Sequence, residues 1–209
     1  MTTSTLQFAP ADDAEEIARA EIYGLLARLW LAAPDQDLAE RMRDAASPGS
    51  ASEGPLQGPW RALVDAMRTT SVEAAAAEYD ALFEGVGRPE VFLYGSYYLT
   101  GFLNERPLAR LRDDLQVLGL TRDVGRAETE DHVAFLFEVM RYLIAGDVAA
   151  VCNVEQQRRF FRAHLQPWVD QMCDAVEAHP RAGLWRAVAG MTRAFMQVET
   201  QGFDMLEER

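Results

Sequence analysis

Positive charge is scarce in this 209-residue chain: 20 basic residues stand against 33 acidic ones, a formal net charge of −13. With a pI near 4.6, that balance argues against a broad face for nucleic acid or for an anionic membrane surface. It suits a basic peptide partner, and it equally serves solubility alone. Cysteine is scarcer still. Cys152 and Cys173 fit no CxxC or zinc spacing. With helix between them they would lie roughly 30 Å apart, too far to bridge, so two plain buried thiols in a reducing compartment are expected. No apolar run approaches the roughly 18 residues that a membrane span needs. The stretch from Met1 to Pro10 lacks both a basic region and an apolar core, and Arg158-Arg159 sits too deep to be an export signal, so a cytoplasmic protein is expected. HExxH, P-loop, GxGxxG and nucleophile-elbow motifs are all missing. So are the paired Glu-x-x-His motifs that a metal site in a helical bundle would use. Neither catalysis nor a bound metal is expected.

What the chain does have is helical periodicity. From Asp12 to Ala32 apolar residues recur at Ile17, Ala20, Tyr23, Gly24, Ala27 and Trp30-Leu31; Asp12-Asp13 favour the start and Pro34 enforces the stop. Further helices are read at Asp37–Ala46, Trp60–Thr69, Val72–Phe83, Leu108–Leu118, Thr129–Ala145, Val154–Ala178 and Leu184–Thr200. Gly119 ends one of them; Thr129 is a candidate N-cap and Gly146 a candidate C′ residue. Ser47–Pro59 is a loop, and Gly85 to Pro89 breaks the pattern. Val91 to Leu99 has strand propensity but no second strand to satisfy its backbone, so it is read as a buried loop plus a short helix. The expected fold is all-α, a single globular helical domain of about eight to ten helices. It spans 12–200, between a flexible N-terminus at 1–11 and a C-terminal tail at 201–209.

Two constellations could carry function. With Thr129 as N-cap, Glu130 and Asp131 fall in a first helical turn, where carboxylates suit the dipole. His132 shares the face of Phe135, Leu136 and Val139. Adjacent helix positions diverge, so Asp131 and His132 form no local dyad. They read either as satisfied structural groups or as part of a site. Ser96, His132 and Asp131 can be drawn together as a helical enzyme or nucleotide-binding regulator, though no spacing demands it. Second, Phe83, Phe92, Tyr94, Tyr97, Tyr98 and Phe102 crowd around Gly85, Gly87, Gly95 and Gly101. They are either core or a groove for an apolar peptide helix. Glu78, Asp80, Glu84 and Glu90 surround that stretch, either as a solvated face or as a rim suited to arginines beside an apolar run.

The order of these blocks is similar to the TorD/DmsD/NarJ family of molybdoenzyme-specific chaperones. The blocks are Glu78-Tyr79-Asp80-Ala81-Leu82-Phe83-Glu84-Gly85, then Pro89, Tyr94-Gly95-Ser96-Tyr97-Tyr98-Leu99, Leu118-Gly119-Leu120 and Asp131-His132-Val133-Ala134-Phe135-Leu136-Phe137-Glu138-Val139-Met140. The resemblance runs from about Ile17 to about Phe195, with Phe92-Leu93-Tyr94-Gly95 where the family has Pro-Tyr. It implies an all-α chaperone without catalysis. Such a protein binds the twin-arginine leader of a molybdenum-cofactor oxidoreductase subunit, of formate dehydrogenase or dimethyl sulfoxide reductase type, and holds it for cofactor insertion before export. In the NarJ branch the clients lack a working export signal. The resemblance further implies no cofactor beyond weak guanine-nucleotide binding, and a monomer or domain-swapped dimer. The positions matching the family pattern, and so the implied peptide-binding set, are Tyr79, Leu82, Phe83, Gly85, Pro89, Ser96, Tyr97, Asp131, His132 and Glu138.

Overall fold

The computed structural model describes residues 11–45, 54–85, 87–121 and 128–207. Among them are ten α-helices and no strand: α1 (Ala11–Leu31), α2 (Gln36–Asp44), α3 (Gln57–Thr69), α4 (Val72–Tyr79), α5 (Gly95–Thr100), α6 (Arg106–Val117), α7 (Val133–Ala145), α8 (Val154–His164), α9 (Val169–Ala178) and α10 (Leu184–Glu207). The all-α expectation is met. Of the flexible N-terminus expected at 1–11, residues 1–10 lie outside the described residues and Ala11 already begins α1; the loop read from Ser47 likewise lies outside them as far as residue 53. Helix α3 starts at Gln57, ahead of the expected Trp60.

Helix α7 is the centre of the molecule because it is apolar almost all round. Val133, Ala134, Leu136, Phe137, Met140, Leu143 and Ile144 are buried, and a helix of that kind must be covered on several sides. Helix α1 packs along it and α8 lies against another side, while α10 packs on α9 and α3. The Tyr23 ring of α1 meets Phe137 at 5.7 Å and Phe195 of α10 at 4.7 Å. Polar ties fix the same layers. Both carboxylate oxygens of the buried Glu199 accept from Arg19, at 2.8 Å each, and the Tyr23 hydroxyl donates to Glu199 at 3.0 Å. Trp30 Nε1 donates to Thr192 Oγ1 at 3.0 Å.

Several boundaries differ from the sequence reading, each for a physical reason. Helix α10 runs on to Glu207, so residues 201–207 are helix rather than tail; Phe203 is buried and its ring meets Phe161 at 5.2 Å. The stretch read as one helix from Val154 to Ala178 breaks between His164 and Val169, where Trp168 Nε1 donates to the His164 carbonyl at 2.6 Å. Helix α4 stops at Tyr79, and the Asp80–Glu84 segment continues as a wider π-turn, a form that often marks function. Gly119 closes α6 with a φ of 72°. Its neighbour Leu120 donates to the Leu115 carbonyl at 2.9 Å, the pairing of a Schellman motif. Gly146, by contrast, has a φ of −75° and is not a left-handed cap.

Helix α7 starts at Val133, not Thr129. Its N-cap is His132, whose Nδ1 accepts from the Ala134 N–H at 3.2 Å. The strand-like segment before α5 finds a partner here after all. Residues Tyr94 and His132 form an antiparallel bridge: the Val133 N–H donates to the Leu93 carbonyl and the Gly95 N–H to the Asp131 carbonyl, both at 2.9 Å. The backbone need noted in the sequence is met by the approach to α7 rather than by a second strand.

Candidate functional site

Helices α6 and α7 form a wall with a groove on each side. The first groove, of about 460 Å³, lies between α1, α6 and α7. Ala27 and Leu31 of α1, Leu115 and Leu120, and Phe135, Val139 and Tyr142 of α7 make it apolar, and Glu130 and Glu138 stand on its edge. Glu130 pairs with Arg112 at 2.8 Å and Glu138 with Arg141 at 3.2 Å. Glu138 and Arg141 are both exposed, and such a pair contributes little, so an incoming guanidinium can compete for the Glu138 carboxylate. An aromatic path leads into this groove: the Tyr94 ring meets His132 at 5.1 Å, and His132 meets Phe135 at 5.7 Å. Burial raises the Tyr94 phenol, and the nearby carboxylates of Glu128, Asp131 and Glu84 raise it further.

The second groove, of about 570 Å³, lies between α5, α6 and α8. Leu99, Leu111, Leu136 and Trp168 line it together with Ser96, Arg106, Arg110, Asp114, Asp131 and His164. Asp131 is buried and engaged through both oxygens. Oδ2 accepts from the Ser96 N–H at 2.8 Å and Oδ1 from the Thr129 hydroxyl at 2.6 Å. Of the two roles open to it in the sequence, the structure gives it the one of holding the start of α5. Gly95 leaves room beside it: a Cβ there would stand 3.0 Å from Trp168 Nε1 and press on that ring.

His132 sits between the grooves and is buried. Desolvation pushes its imidazole down from 6.5 to about 4, although Glu128 and Asp131 pull the other way. A neutral ring is what its role requires, since Nδ1 must keep a lone pair for the Ala134 N–H. Ser96 Oγ is buried without a hydrogen-bond partner among the described residues. Ser96, His132 and Asp131 therefore do not join as nucleophile, base and orienting acid. No group of three or more His, Cys, Asp or Glu among the described residues could hold a metal.

The ten residues picked from the sequence do not gather in one groove. Tyr79 and Leu82 are core; the Tyr79 hydroxyl donates to the Trp30 and Leu31 carbonyls at 3.1 and 2.8 Å, and burial raises its pKa. Half-buried Phe83 packs its ring against Trp30, Tyr79 and Trp185. Gly85 and Pro89 belong to the turn that follows. Tyr97 stacks on Phe92 at 4.0 Å and accepts from Arg88 at 3.3 Å. Ser96 and Asp131 line the second groove, Glu138 the first. The acidic rim also divides. Glu78 caps α10 by accepting from Gly183, Leu184 and Trp185 N–H groups at 2.7, 3.1 and 3.0 Å, and Glu90 pairs with Arg181 at 2.9 Å. Sequence reasoning passed over Phe135 and Val139 as plain core, and over Arg106 and Arg110 altogether. The available signals were the Phe135/Glu138/Val139 spacing, which mixes acid with apolar on one face, and an i, i+4 arginine pair beside exposed apolar residues.

Comparison with known proteins fits this architecture. Chaperone protein TorD from three strains of Vibrio cholerae serotype O1 is 27% identical over 205 residues, which span 90% of this chain and 93% of theirs. A structure described as a redox enzyme maturation protein from Archaeoglobus fulgidus superposes with a TM-score of 0.55 over 94% of this chain and 99% of its own, at 18% identity, and so shares the fold. These relatives are named as chaperones and maturation proteins, not as enzymes. The model of the nitrate reductase delta subunit family matches residues 51–174, more than half of the sequence. The chain belongs to that family, within which it has the TorD/DmsD/NarJ chaperone pattern.

Proposed function

We propose that the protein is a redox enzyme maturation chaperone that binds the leader of a molybdenum-cofactor oxidoreductase subunit in the groove between α1, α6 and α7. The observation that carries this reading is the apolar floor of Leu31, Phe135 and Val139 edged by Glu130 and Glu138. A twin-arginine leader places guanidinium groups beside an apolar helix. An apolar groove with carboxylates on its edge is its complement in both shape and charge. The client class is the formate dehydrogenase or dimethyl sulfoxide reductase type, held in the cytoplasm for cofactor insertion before export. No described helix is long and apolar enough to cross a membrane.

The test is a titration of labelled leader peptides from the molybdoenzymes encoded in the same cells. Saturable binding that weakens in high salt and in Glu138→Arg is expected. Equal affinity for Glu138→Arg and for a Phe135→Ser, Val139→Ser double variant would remove the groove from leader recognition.

A further inference from the structure

The second groove is set apart by its charge. Among the described residues, arginine side chains reach carboxylates, carbonyls or aromatic groups, as Arg112, Arg159 and Arg193 do. The exceptions are Arg61, Arg106 and Arg110, which make no hydrogen bond or ion pair among the described residues. Two of the three line this one groove. They stand one turn apart on α6, so they share a face. Neither acid of the lining forms an ion pair with them: Asp131 is held by the Ser96 N–H and the Thr129 hydroxyl, and Asp114 by Arg159 and His164. In the lining, the fully buried Ser96 hydroxyl has no partner among the described residues, although buried hydroxyls nearly always find one. Beside the groove, Leu99, Phe102 and Leu103 are 40%, 69% and 41% exposed. Exposed apolar side chains at a polar rim are a mark of contact surfaces.

We propose that this groove docks a polypeptide segment that carries carboxylates beside apolar side chains. Arg106 and Arg110 present forked donors that match a carboxylate. Leu99, Phe102 and Leu103 extend the surface beyond the groove and supply apolar contact area that a small anion would leave uncovered. The site differs from the leader groove in offering arginines without an ion-pair partner among the described residues, stands independently of the leader reading and titrates separately from it.

The experiment uses the full chain and fluorescence anisotropy at low salt, with two labelled peptides of equal length: one alternating leucine and glutamate, the other leucine and arginine. The acidic peptide is expected to bind, and the Arg106→Gln, Arg110→Gln double variant to weaken it about tenfold or more. Phe102→Ser should weaken it several-fold, while the basic peptide is unaffected by all three changes. Both arginines and Phe102 are exposed, so helical circular dichroism is expected to be unchanged. Failure of the wild-type chain to bind the acidic peptide, or equal binding by the double variant, would overturn the proposal. Displacement of the peptide by inorganic phosphate, but not by chloride at the same ionic strength, would assign the groove to a phosphate ligand and overturn it as well.

Discussion

On the α1 side of the wall, the groove presents Leu31, Phe135 and Val139 with Glu130 and Glu138 at the edge; on the α8 side, the groove presents Leu111, Leu136 and Trp168 with Arg106 and Arg110. The two are of similar size and share α6 and α7, yet they offer different charged groups: Glu130 and Glu138 in one, and in the other two arginines without an ion-pair partner among the described residues. A net charge of −13 therefore says little about either one. It bears on solubility and on long-range attraction, while recognition depends on the few groups left unmatched at each site. The wall also separates roles. Asp131 and His132, just ahead of α7, hold helix starts, while the groove-facing side chains of α6 and α7 are left for contact.

The sharpest way to break this division is through His132. Its folded-state pKa is near 4 against an ordinary 6.5, so between those values the unfolded chain binds the proton and the folded chain does not. Stability should therefore be flat above about pH 6.5 and fall as pH drops toward 4, by on the order of 3 kcal/mol. Urea melts across that range should show the slope, and His132→Gln should flatten it. A variant with the wild-type slope would exclude His132 as its source.

Asp131→Ala should cost about 2 kcal/mol, because it leaves the buried Ser96 N–H without an acceptor. Thermal melts check this. If leader affinity collapsed while the melting temperature held, Asp131 would be a contact residue rather than a support. Next in size, Phe135→Ala should weaken a leader peptide by about 1–2 kcal/mol and leave the acidic peptide untouched. Loss of both affinities in anisotropy titrations would show that the wall had shifted as a whole. Smallest is Glu138→Gln. It is exposed and, among the described residues, paired with Arg141 alone, so stability should change by less than about 0.5 kcal/mol. Leader binding should lose part of its salt dependence, which titrations at two ionic strengths would detect.

Much of the fold was legible in the sequence because long helices with a clear apolar stripe declare themselves. The Tyr23–Trp30 stripe of α1 and the buried face of α7 were both foreseen. What was hidden had a tertiary cause. The start of α7 was misplaced because a threonine at 129 looked like a cap, whereas the capping group is an imidazole kept neutral by burial. The break before α9 did have a signal in the sequence, Pro167, which cannot continue a helix, and the reading passed over it; the turn is held by Trp168 folding back on His164. Asp131, His132 and Ser96 stood out in the sequence because their types are rare in an apolar setting, and the structure engages the first two in holding helix starts. Phe135 and Val139 were read only as core because a half-buried groove residue and a core residue have the same side chain. Only the neighbours decide between them.

The bridge between the approaches to α5 and α7 has a kinetic side. The Val133 N–H is bonded to Leu93, the Gly95 N–H to the Asp131 carbonyl and the Ser96 N–H to the Asp131 carboxylate. Each helix thus has the first of its orphan donors satisfied by the segment that starts the other. Neither start is complete until a loop spanning 35 residues in sequence has closed. Such non-local pairings form late on the folding path, after the long helices can already exist. Because all three bonds break together when the two segments part, the same three amides are expected to exchange with solvent as one cooperative unit, not singly as frayed helix ends do.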